Sequence, residues 1–309
     1  MVCCENGSPL SPERSGLRSR LGARVMVSGK LVPHIGAAIL ILAGCAPQIR
    51  KRMEVCPGKG SVAEALAALQ SQSQRVVPLR ANGQCRLEYY VEGKKKPQRE
   101  NFDVRLWVNP PVEIYLQGDK ALVPKAIVLG SNEREFWLSI RPKEISTHWW
   151  GRWSERDFSQ GLIINPRTLL EALGMGQVDA ERDWSLSNEG PFDILAERSQ
   201  GVTIKKIYVY CCEYQVRRIE FFDSSGRLLA DAELERYEEV SEGFLVPALI
   251  KVTTHTRDPE DSLSITLSLK TMKPAEINEQ QRNYLFEHRP PKGFRHVLEY
   301  RDGMWIEQQ

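Results

Sequence analysis

The strongest constraint on the fold is an alternation of apolar and polar side chains that recurs along the chain. It is seen over residues 103–108, 112–117 and 136–140, and it is most regular over residues 263–270. Successive side chains of a strand point to opposite faces, so each run predicts an antiparallel strand with one buried face. Residues typical of turns separate the runs.

The second half of the chain is predicted to consist largely of consecutive hairpins. Strands are expected at residues 204–210, 214–222, 227–237, 245–255 and 263–271. Turn residues at 223–226 and 258–261 join neighbouring strands. Together with the first half, this predicts about ten or eleven strands, whereas residues 175–190 lack a clear period and are expected to form a loop.

Two helices accompany these strands. The first is predicted over residues 61–70, where Ser61 and Glu64 form a capping box ahead of an apolar face. The second is predicted over residues 166–173, with Asn165 as its N-cap and Gly174 after its end. A helix followed by many strands argues against a doubly wound parallel sheet, so the expected class is mainly β, of the α+β type.

Composition adds support for a folded core and argues against one class of partner. The 309 residues include 42 basic and 40 acidic ones, a net charge of only +2, so nothing favours binding to nucleic acid. A hydrophobic content of 41% is enough for a substantial core. The apolar run near the amino terminus is too short for a spanning helix, and no second apolar run could span a membrane.

That apolar run, residues 31–44, follows Lys30 and ends at a cysteine. Its charged start and short apolar segment are typical of a secretory signal. The final residues, Leu42-Ala43-Gly44-Cys45, are similar to the lipobox of bacterial lipoproteins, which implies cleavage before Cys45 and its lipidation. Several acyl chains give a stable membrane anchor. The alternatives are an ordinary cleaved signal, or a buried helix in which the cysteine occurs by chance.

The lipobox interpretation divides the chain into three parts. Residues 1–44 are a leader with the signal peptide, whose true start is expected at Met26 unless residues 1–25 form a long charged region. Residues 45–60 are a lipidated, basic tether, and residues 61–309 are a single domain. Ala46 after the cysteine favours the outer membrane under the enterobacterial sorting rule, which would place the domain in the periplasm.

Four cysteines remain outside the leader and the anchor, and export permits disulfides. Cys56 and Cys85 flank the first helix and are the predicted pair. Cys211 and Cys212 would point to opposite faces of a strand, so at most one is expected in the core. No metal or cofactor is predicted, since the cysteines lack C-x-x-C spacing and the histidines, His148, His255, His288 and His296, lack ligand spacing.

The order of these elements resembles the LolA/LolB superfamily of bacterial lipoprotein carriers and receptors. The matching features are the opening helix, the one-sided strands, the mid-chain helix and the hairpins that follow it. A short F…PP-x-G stretch adds to them, formed by Phe286, Pro290, Pro291 and Gly293. The resemblance implies a curved, incomplete antiparallel β-barrel with two or three helices closing its concave side over an apolar cavity for acyl chains.

The resemblance also implies a function. We expect a lipid-anchored cell-envelope protein, not an enzyme, that binds a lipid, acyl chain or acylated protein for lipid or lipoprotein transport. The alternative is a structural or signalling envelope lipoprotein with a filled core that binds a protein partner, since alternation alone does not separate a cavity from a packed core.

Candidate residues for the cavity wall come from the alternating strands and the second helix. They are Leu106, Val108, Ile114, Leu116, Phe136, Leu138, Ile140, Leu169 and Leu173. No cavity-facing role is claimed for Ile265 in the most regular strand.

A tryptophan-rich stretch gives a second set of candidates. Trp149, Trp150 and Trp153 are interleaved with Arg152. Amphipathic aromatic side chains are favoured at membrane interfaces, so these three are candidates for membrane contact or for the mouth of a cavity. The alternative is that they pack the end of a strand against the second helix.

Overall fold

One large sheet dominates the computed structural model, which describes residues 53–90, 96–143, 145–153, 165–176, 178–256, 262–289 and 292–308. Its strands are β1 (Leu79–Tyr89), β2 (Gln98–Asn109), β3 (Glu113–Lys120), β4 (Val123–Ser131), β5 (Glu135–Ile140), β6 (Thr147–Arg152), β7 (Asp183–Glu189), β8 (Phe192–Ser199), β9 (Val202–Tyr210), β10 (Gln215–Phe222), β11 (Leu228–Ser241), β12 (Phe244–Thr254), β13 (Leu263–Pro274), β14 (His296–Arg301) and β15 (Met304–Glu307). The helices are α1 (Val62–Ser73), α2 (Pro166–Ala172) and α3 (Glu279–Leu285).

The sheet is curved and does not close on itself. Its strand order is β15-β14-β6-β5-β4-β3-β2-β1-β13-β12-β11-β10-β9-β8-β7, so β15 and β7 are its two edges. The pairs between neighbouring strands are antiparallel, except that β14 lies parallel to β6. The described residues therefore form fifteen strands, more than the predicted ten or eleven, and include one parallel pair that the sequence did not predict.

Three of the strands that the sequence did not predict, β7, β14 and β15, are short strands at or next to the edges of the sheet. Residues 183–189, predicted to be part of a loop, form the edge strand β7, in which Trp184 is buried but the last three residues are exposed. An edge strand of this kind pairs on one side only and needs no apolar face of its own. The short β14 and β15 were missed for a similar reason, because most of their residues are half-buried or exposed.

Both predicted helices are present. Ser61 caps α1 and accepts a hydrogen bond from the Glu64 amide at 3.2 Å, although the helix continues to Ser73 instead of ending at residue 70. Asn165 caps α2, which ends at Ala172, and Gly174 follows with a φ of +74°, a conformation that favours glycine. The third helix, α3, begins with a capping box at Asn278.

The core forms two clusters on opposite faces of the sheet. The larger contains the buried sides of α1 and α2 together with alternate residues of most strands, such as Ile114 and Leu116 of β3. Between them, Tyr115 points to the other face, where the smaller cluster packs beneath α3. Thus α1 and α2 cover one face and α3 covers the other. Among the described residues, no helix is long and apolar enough to cross a membrane.

Candidate functional site

A small cavity lies where α1 and α2 meet strands β9 and β10. Its volume is about 60 Å³, and its wall is apolar on the sheet side and polar at the helix ends. The lining residues are Leu69, Gln72, Ser73, Glu171, Gly174, Gly176, Val178, Ile207, Val216 and Ile219. Liquid water occupies about 30 Å³ per molecule and typical ligand pockets about 300–1,000 Å³, so an acyl chain needs a wider space than this one.

A nearly buried ion cluster ties α2 to the sheet beside this cavity. The Lys205 ammonium on β9 lies 3.0 Å from the Glu197 carboxylate on β8 and 3.4 Å from the Glu171 carboxylate on α2. Burial alone would lower the pKa of Lys205, but the two carboxylates outweigh it, and the pKa lies above its usual value. Lys205 therefore stays charged and holds the carboxyl-terminal turn of α2 against the sheet.

The structure brings all nine candidate cavity-facing residues together in the larger core cluster. Seven of the nine are fully buried, Leu116 is 1% exposed and Leu169 is 2% exposed. None of the nine lines the cavity between α1, α2 and the sheet. In the described structure they therefore act as packed core residues, and a role for them in ligand binding remains a prediction.

Ile265, for which no cavity-facing role was claimed, lies in the same cluster as the nine candidates. Ile265 belongs to β13. Ile265 is 4% exposed and pairs with Leu87 of β1 and Val252 of β12. It does not line the cavity either, so it too acts as a packed core residue.

The three candidate tryptophans take separate positions. Trp149 is buried in the larger cluster, whereas Trp150 lies on the opposite face. Trp153 packs its ring on Phe136 at 4.5 Å and under the Arg167 guanidinium at 4.0 Å. The contact with Arg167, at the start of α2, is the kind expected if a strand end packs against the second helix. A membrane or mouth role for the three remains a prediction.

A different apolar residue is exposed at a hairpin tip. Leu122, between β3 and β4, is 97% exposed, and its neighbour Val123 is 40% exposed. Lys120 and Lys125 flank the pair; Lys120 bonds to Glu100, and Lys125 lies over the Tyr284 ring. This tip was not predicted from the sequence, although its signal is present there as two apolar residues between two lysines.

Strand pairing places other basic residues at the same end of the sheet. Tyr89 pairs with Gln98 and Ile127 with Ile140, so the β1–β2 and β5–β6 connections lie beside the β3–β4 tip. The described basic residues of these connections are Lys96, Arg141 and Lys143. Lys94 and Lys95 lie outside the described residues, as do Cys45 and the remainder of the lipobox.

The disulfide differs from the predicted one. Cys56 bonds to Cys212, with the two Cα atoms 5.1 Å apart, and the predicted Cys56–Cys85 pair is wrong. Cys85 lies in the middle of β1 with 1% exposure, so its thiol is enclosed in the core, away from the amino-terminal segment. Cys212 lies in the turn between β9 and β10, not on a strand, and this turn reaches the segment that precedes α1.

A buried carboxylate fastens the same segment next to the disulfide. Asp193 of β8 is fully buried and accepts hydrogen bonds from the Lys59 amide at 2.9 Å and from the Asn188 side chain at 2.6 Å. The Cys211 thiol lies 3.3 Å from the same carboxylate. Residues 53–60, the described part of the predicted tether, are therefore held to the domain at Cys56 and Lys59.

Histidines that are distant in the sequence meet on the outer face of the sheet. His148 of β6 and His288, which follows α3, approach with their Nε2 atoms 3.1 Å apart. Sequence spacing gave no sign of this pair, because 140 residues separate the two. No group of three or more potential metal ligands occurs among the residues that the structure describes.

Comparison with known proteins reveals likenesses of fold alone. No family model and no curated protein matches the sequence. An outer membrane lipoprotein-sorting protein domain from Vibrio parahaemolyticus is 12% identical with a TM-score of 0.49, covering 72% of this chain and 97% of that one. A LolA superfamily protein from Nitrosomonas europaea is 11% identical with a TM-score of 0.45, at the same coverages.

A third solved structure, a DUF1329 family protein from Desulfovibrio piger, is 13% identical with a TM-score of 0.49, covering 74% of this chain and 98% of that one. The Nitrosomonas europaea protein belongs to the LolA superfamily, the group that the sequence resembles.

Proposed function

We propose that this chain is a lipid-anchored cell-envelope protein that binds an acyl chain, as part of a lipid or of an acylated protein, and acts in lipid or lipoprotein transport. The observation that carries the proposal is the apolar cavity between α1, α2 and strands β9 and β10. A space between amphipathic helices and a sheet is where a slender apolar ligand can be enclosed with few polar contacts.

Binding requires the cavity to widen, and we infer that α2 is the side that moves. This helix has seven residues, and Gly174 and Gly176 lie just beyond its end on the cavity wall. Opposite them, Val216 and Ile219 belong to β10, which is held by ladders to β9 and β11. We therefore expect α2 to move away from the sheet when a ligand enters, with the Lys205–Glu171 ion pair as the contact that opens.

The exposed hairpin tip supports a role at a membrane. Leu122 and Val123 form an exposed apolar tip. The ammonium groups of Lys120 and Lys125 beside it attract anionic headgroups. A basic residue near an anionic surface contributes about 1 kcal/mol. The proposed anchor at Cys45 would keep the domain at the bilayer, and mass spectrometry of the Cys45 peptide is expected to show a diacylglyceryl group and an acylated amino terminus.

The direct test is to look for lipid in the purified protein. The unit Arg52–Gln309 is compact by itself, so it is exported to a bacterial periplasm behind a cleavable signal and purified without detergent. Organic extraction and mass spectrometry are expected to yield about one lipid per chain. The variant Val216→Phe fills the cavity with an apolar ring and is expected to abolish the bound lipid.

The matched control is Val202→Phe, which places the same ring at the start of β9, away from the cavity. It should keep the lipid. Charged substitutions at Leu106 or Ile114 are unsuitable, because both residues are fully buried and such variants would unfold. A stable unit that carries no lipid contradicts the proposal.

The second candidate function is that of an envelope lipoprotein that binds a protein partner with a filled core. The observation that favours it is the close packing of the nine residues expected to face a cavity, all exposed by 2% or less. The same experiment separates the two: this candidate predicts a lipid-free unit whose stability is unaffected by added fatty acid.

A further inference from the structure

The segment after the last long strand covers the outer face of β3 to β6. We name residues 279–289, which comprise α3 and the four residues after it, the C-terminal clasp. Its Leu285 and Phe286 are buried against Tyr115 and Trp137 in the smaller core cluster. The clasp therefore hides an aromatic surface that would otherwise face solvent.

Two polar contacts fix the helical end of the clasp. The Arg282 guanidinium donates to the Glu113 carboxylate at 2.7 Å, and the side chain of Glu113 is only 5% exposed. The Asn132 side-chain amide donates to the Phe286 carbonyl at 2.8 Å. Glu133 is also near Arg282, at 3.8 Å. These contacts hold α3 in place.

The other end of the clasp is held by His288. Its ring lies between Trp137 and Trp150, with centroid distances of 5.4 and 5.1 Å. Its Nε2 atom is 3.1 Å from Nε2 of His148, and Nδ1 of His148 is 2.8 Å from the Ser139 hydroxyl. Both imidazoles are thus enclosed, with the His288 side chain 8% exposed and His148 1% exposed.

The 3.1 Å contact between the two Nε2 atoms leaves room for a hydrogen on only one of them. A neutral imidazole has one donor and one acceptor nitrogen, whereas a charged imidazolium has two donors. If both rings are charged, two N–H groups face each other at 3.1 Å and the contact becomes repulsive. The docked clasp therefore requires that Nε2 of either His148 or His288 carries no proton, so that at least one of the two rings is neutral.

The charged groups around the pair do not remove this requirement. The Glu135 carboxylate of β5 lies 3.9 Å from Nδ1 of His288 and also 3.9 Å from Arg152. On the other side, Phe294 packs 5.9 Å from the His148 ring, and Arg141 lies over Phe294. Only Glu135 favours a charged His288, and no carboxylate among the described contacts reaches His148.

The pKa directions agree with this geometry. Burial, with a smaller effect of His288, lowers the pKa of His148 from 6.5 to about 3. Burial also lowers the pKa of His288, although Glu135 acts in the opposite direction. Because both histidine pKa values are lower in the docked state, docking is favoured above pH 6.5. The docked state loses stability as the pH falls below 6.5 toward the lowered histidine pKa values.

We propose that the histidine pair makes the C-terminal clasp a pH-sensitive cover, which leaves the outer face of the sheet on acidification and exposes the aromatic surface formed by Tyr115, Trp137 and Trp150. Between pH 7.5 and 5.5, each histidine that is neutral when docked and free to titrate at 6.5 when released shifts the equilibrium toward release by about tenfold.

The test is hydrogen–deuterium exchange of the full chain in mild detergent at pH 7.5 and 5.5, corrected for intrinsic exchange. Protection of peptides covering residues 279–289 is expected to fall about tenfold or more, while peptides from β11 to β13 keep theirs. In His288→Phe, an aromatic ring stays beside the tryptophans but cannot be charged, so only His148 still titrates on release and the fall is expected to be smaller than in the parent by up to about tenfold. His296→Asn alters an exposed histidine and should behave like the parent.

Selective histidine NMR on the unaltered chain tests the same idea without a variant. His148 is expected to remain neutral well below pH 6.5 and to become charged only as the clasp opens. Equal loss of protection in His288→Phe and in the parent overturns the proposal. So does a His148 that is charged near pH 6.5 while residues 279–289 stay protected.

Discussion

The Lys205 ammonium lies 3.4 Å from the Glu171 carboxylate, and this contact connects the sheet to the short helix α2. Glu197 completes the cluster at 3.0 Å. Changing Lys205→Met leaves two neighbouring carboxylates without their cation in a nearly buried site. Removing one partner of a buried ion pair costs about 3 kcal/mol, so the free energy of unfolding should fall by roughly that amount in urea titrations.

The control for this prediction is an exposed ion pair in the same sheet. Lys251 and Glu233 lie 3.3 Å apart, with their side chains about half exposed. Because solvent screens such a pair, Lys251→Met is expected to cost about 0.5 kcal/mol or less. Equal losses for the two variants would show that the Lys205 cluster contributes no more than a surface pair.

The disulfide between Cys56 and Cys212 joins residues 156 positions apart. In the chain-entropy model a loop of that length stabilises the fold by up to about 5 kcal/mol. Cys212→Ser should therefore lower the thermal midpoint markedly, whereas the neighbouring Cys211→Ser should change it little. Peptide mapping without reductant is expected to recover the Cys56–Cys212 pair, and recovery of Cys56 joined to Cys211 or Cys85 would contradict the assignment.

Cys85 should behave as an inert thiol. Burial raises its pKa from 9.0 to about 12, so almost no thiolate forms at about pH 8. A maleimide or aromatic disulfide reagent is expected to label it only after denaturant is added. Burial and the hydrogen bond to Asp193 also raise the pKa of Cys211, but this cysteine is only half-buried, so it is expected to react slowly in the folded protein and well before Cys85. Rapid labelling of Cys85 in native buffer would mean that β1 is more accessible than its 1% exposure indicates.

Substitutions of two leucines are expected to separate an effect on stability from an effect on membrane binding. Leu106 is fully buried and Leu122 is 97% exposed. Leu106→Ala is expected to cost about 3 kcal/mol of unfolding free energy through the cavity that it leaves. Leu122→Ala should change stability by no more than about 0.5 kcal/mol.

The same Leu122→Ala variant tests the hairpin tip. Leucine to alanine removes three carbons, each worth up to about 0.8 kcal/mol when buried in lipid, so partial insertion predicts about tenfold weaker binding of the unit Arg52–Gln309 to phosphatidylglycerol vesicles. Flotation or cosedimentation measures this. The matched control is Leu245→Ala, a 40% exposed leucine on β12, which should bind as the parent does. Unchanged binding by the Leu122 variant would remove the tip from the proposed membrane contact.

The amino-acid sequence alone determined those helices and strands whose signals act between residues only a few positions apart in the chain. The Ser61 and Asn165 caps define where α1 and α2 begin, because a cap acts through hydrogen bonds to amides two or three residues away. The alternation at 103–108 assigned Leu106 and its neighbours to a buried face, since strand geometry alone sets which side chains share a face.

Tertiary structure decided whatever depends on residues that are far apart in sequence. The partner of Cys56 was settled by the position of the β9–β10 turn, and the parallel β6–β14 pair by the return of the carboxyl-terminal segment to the sheet edge. Whether the alternating apolar face encloses a cavity or a packed core depends on how α1 and α2 sit on it. The meeting of His148 with His288 has the same origin, because only folding brings side chains 140 residues apart within 3.1 Å.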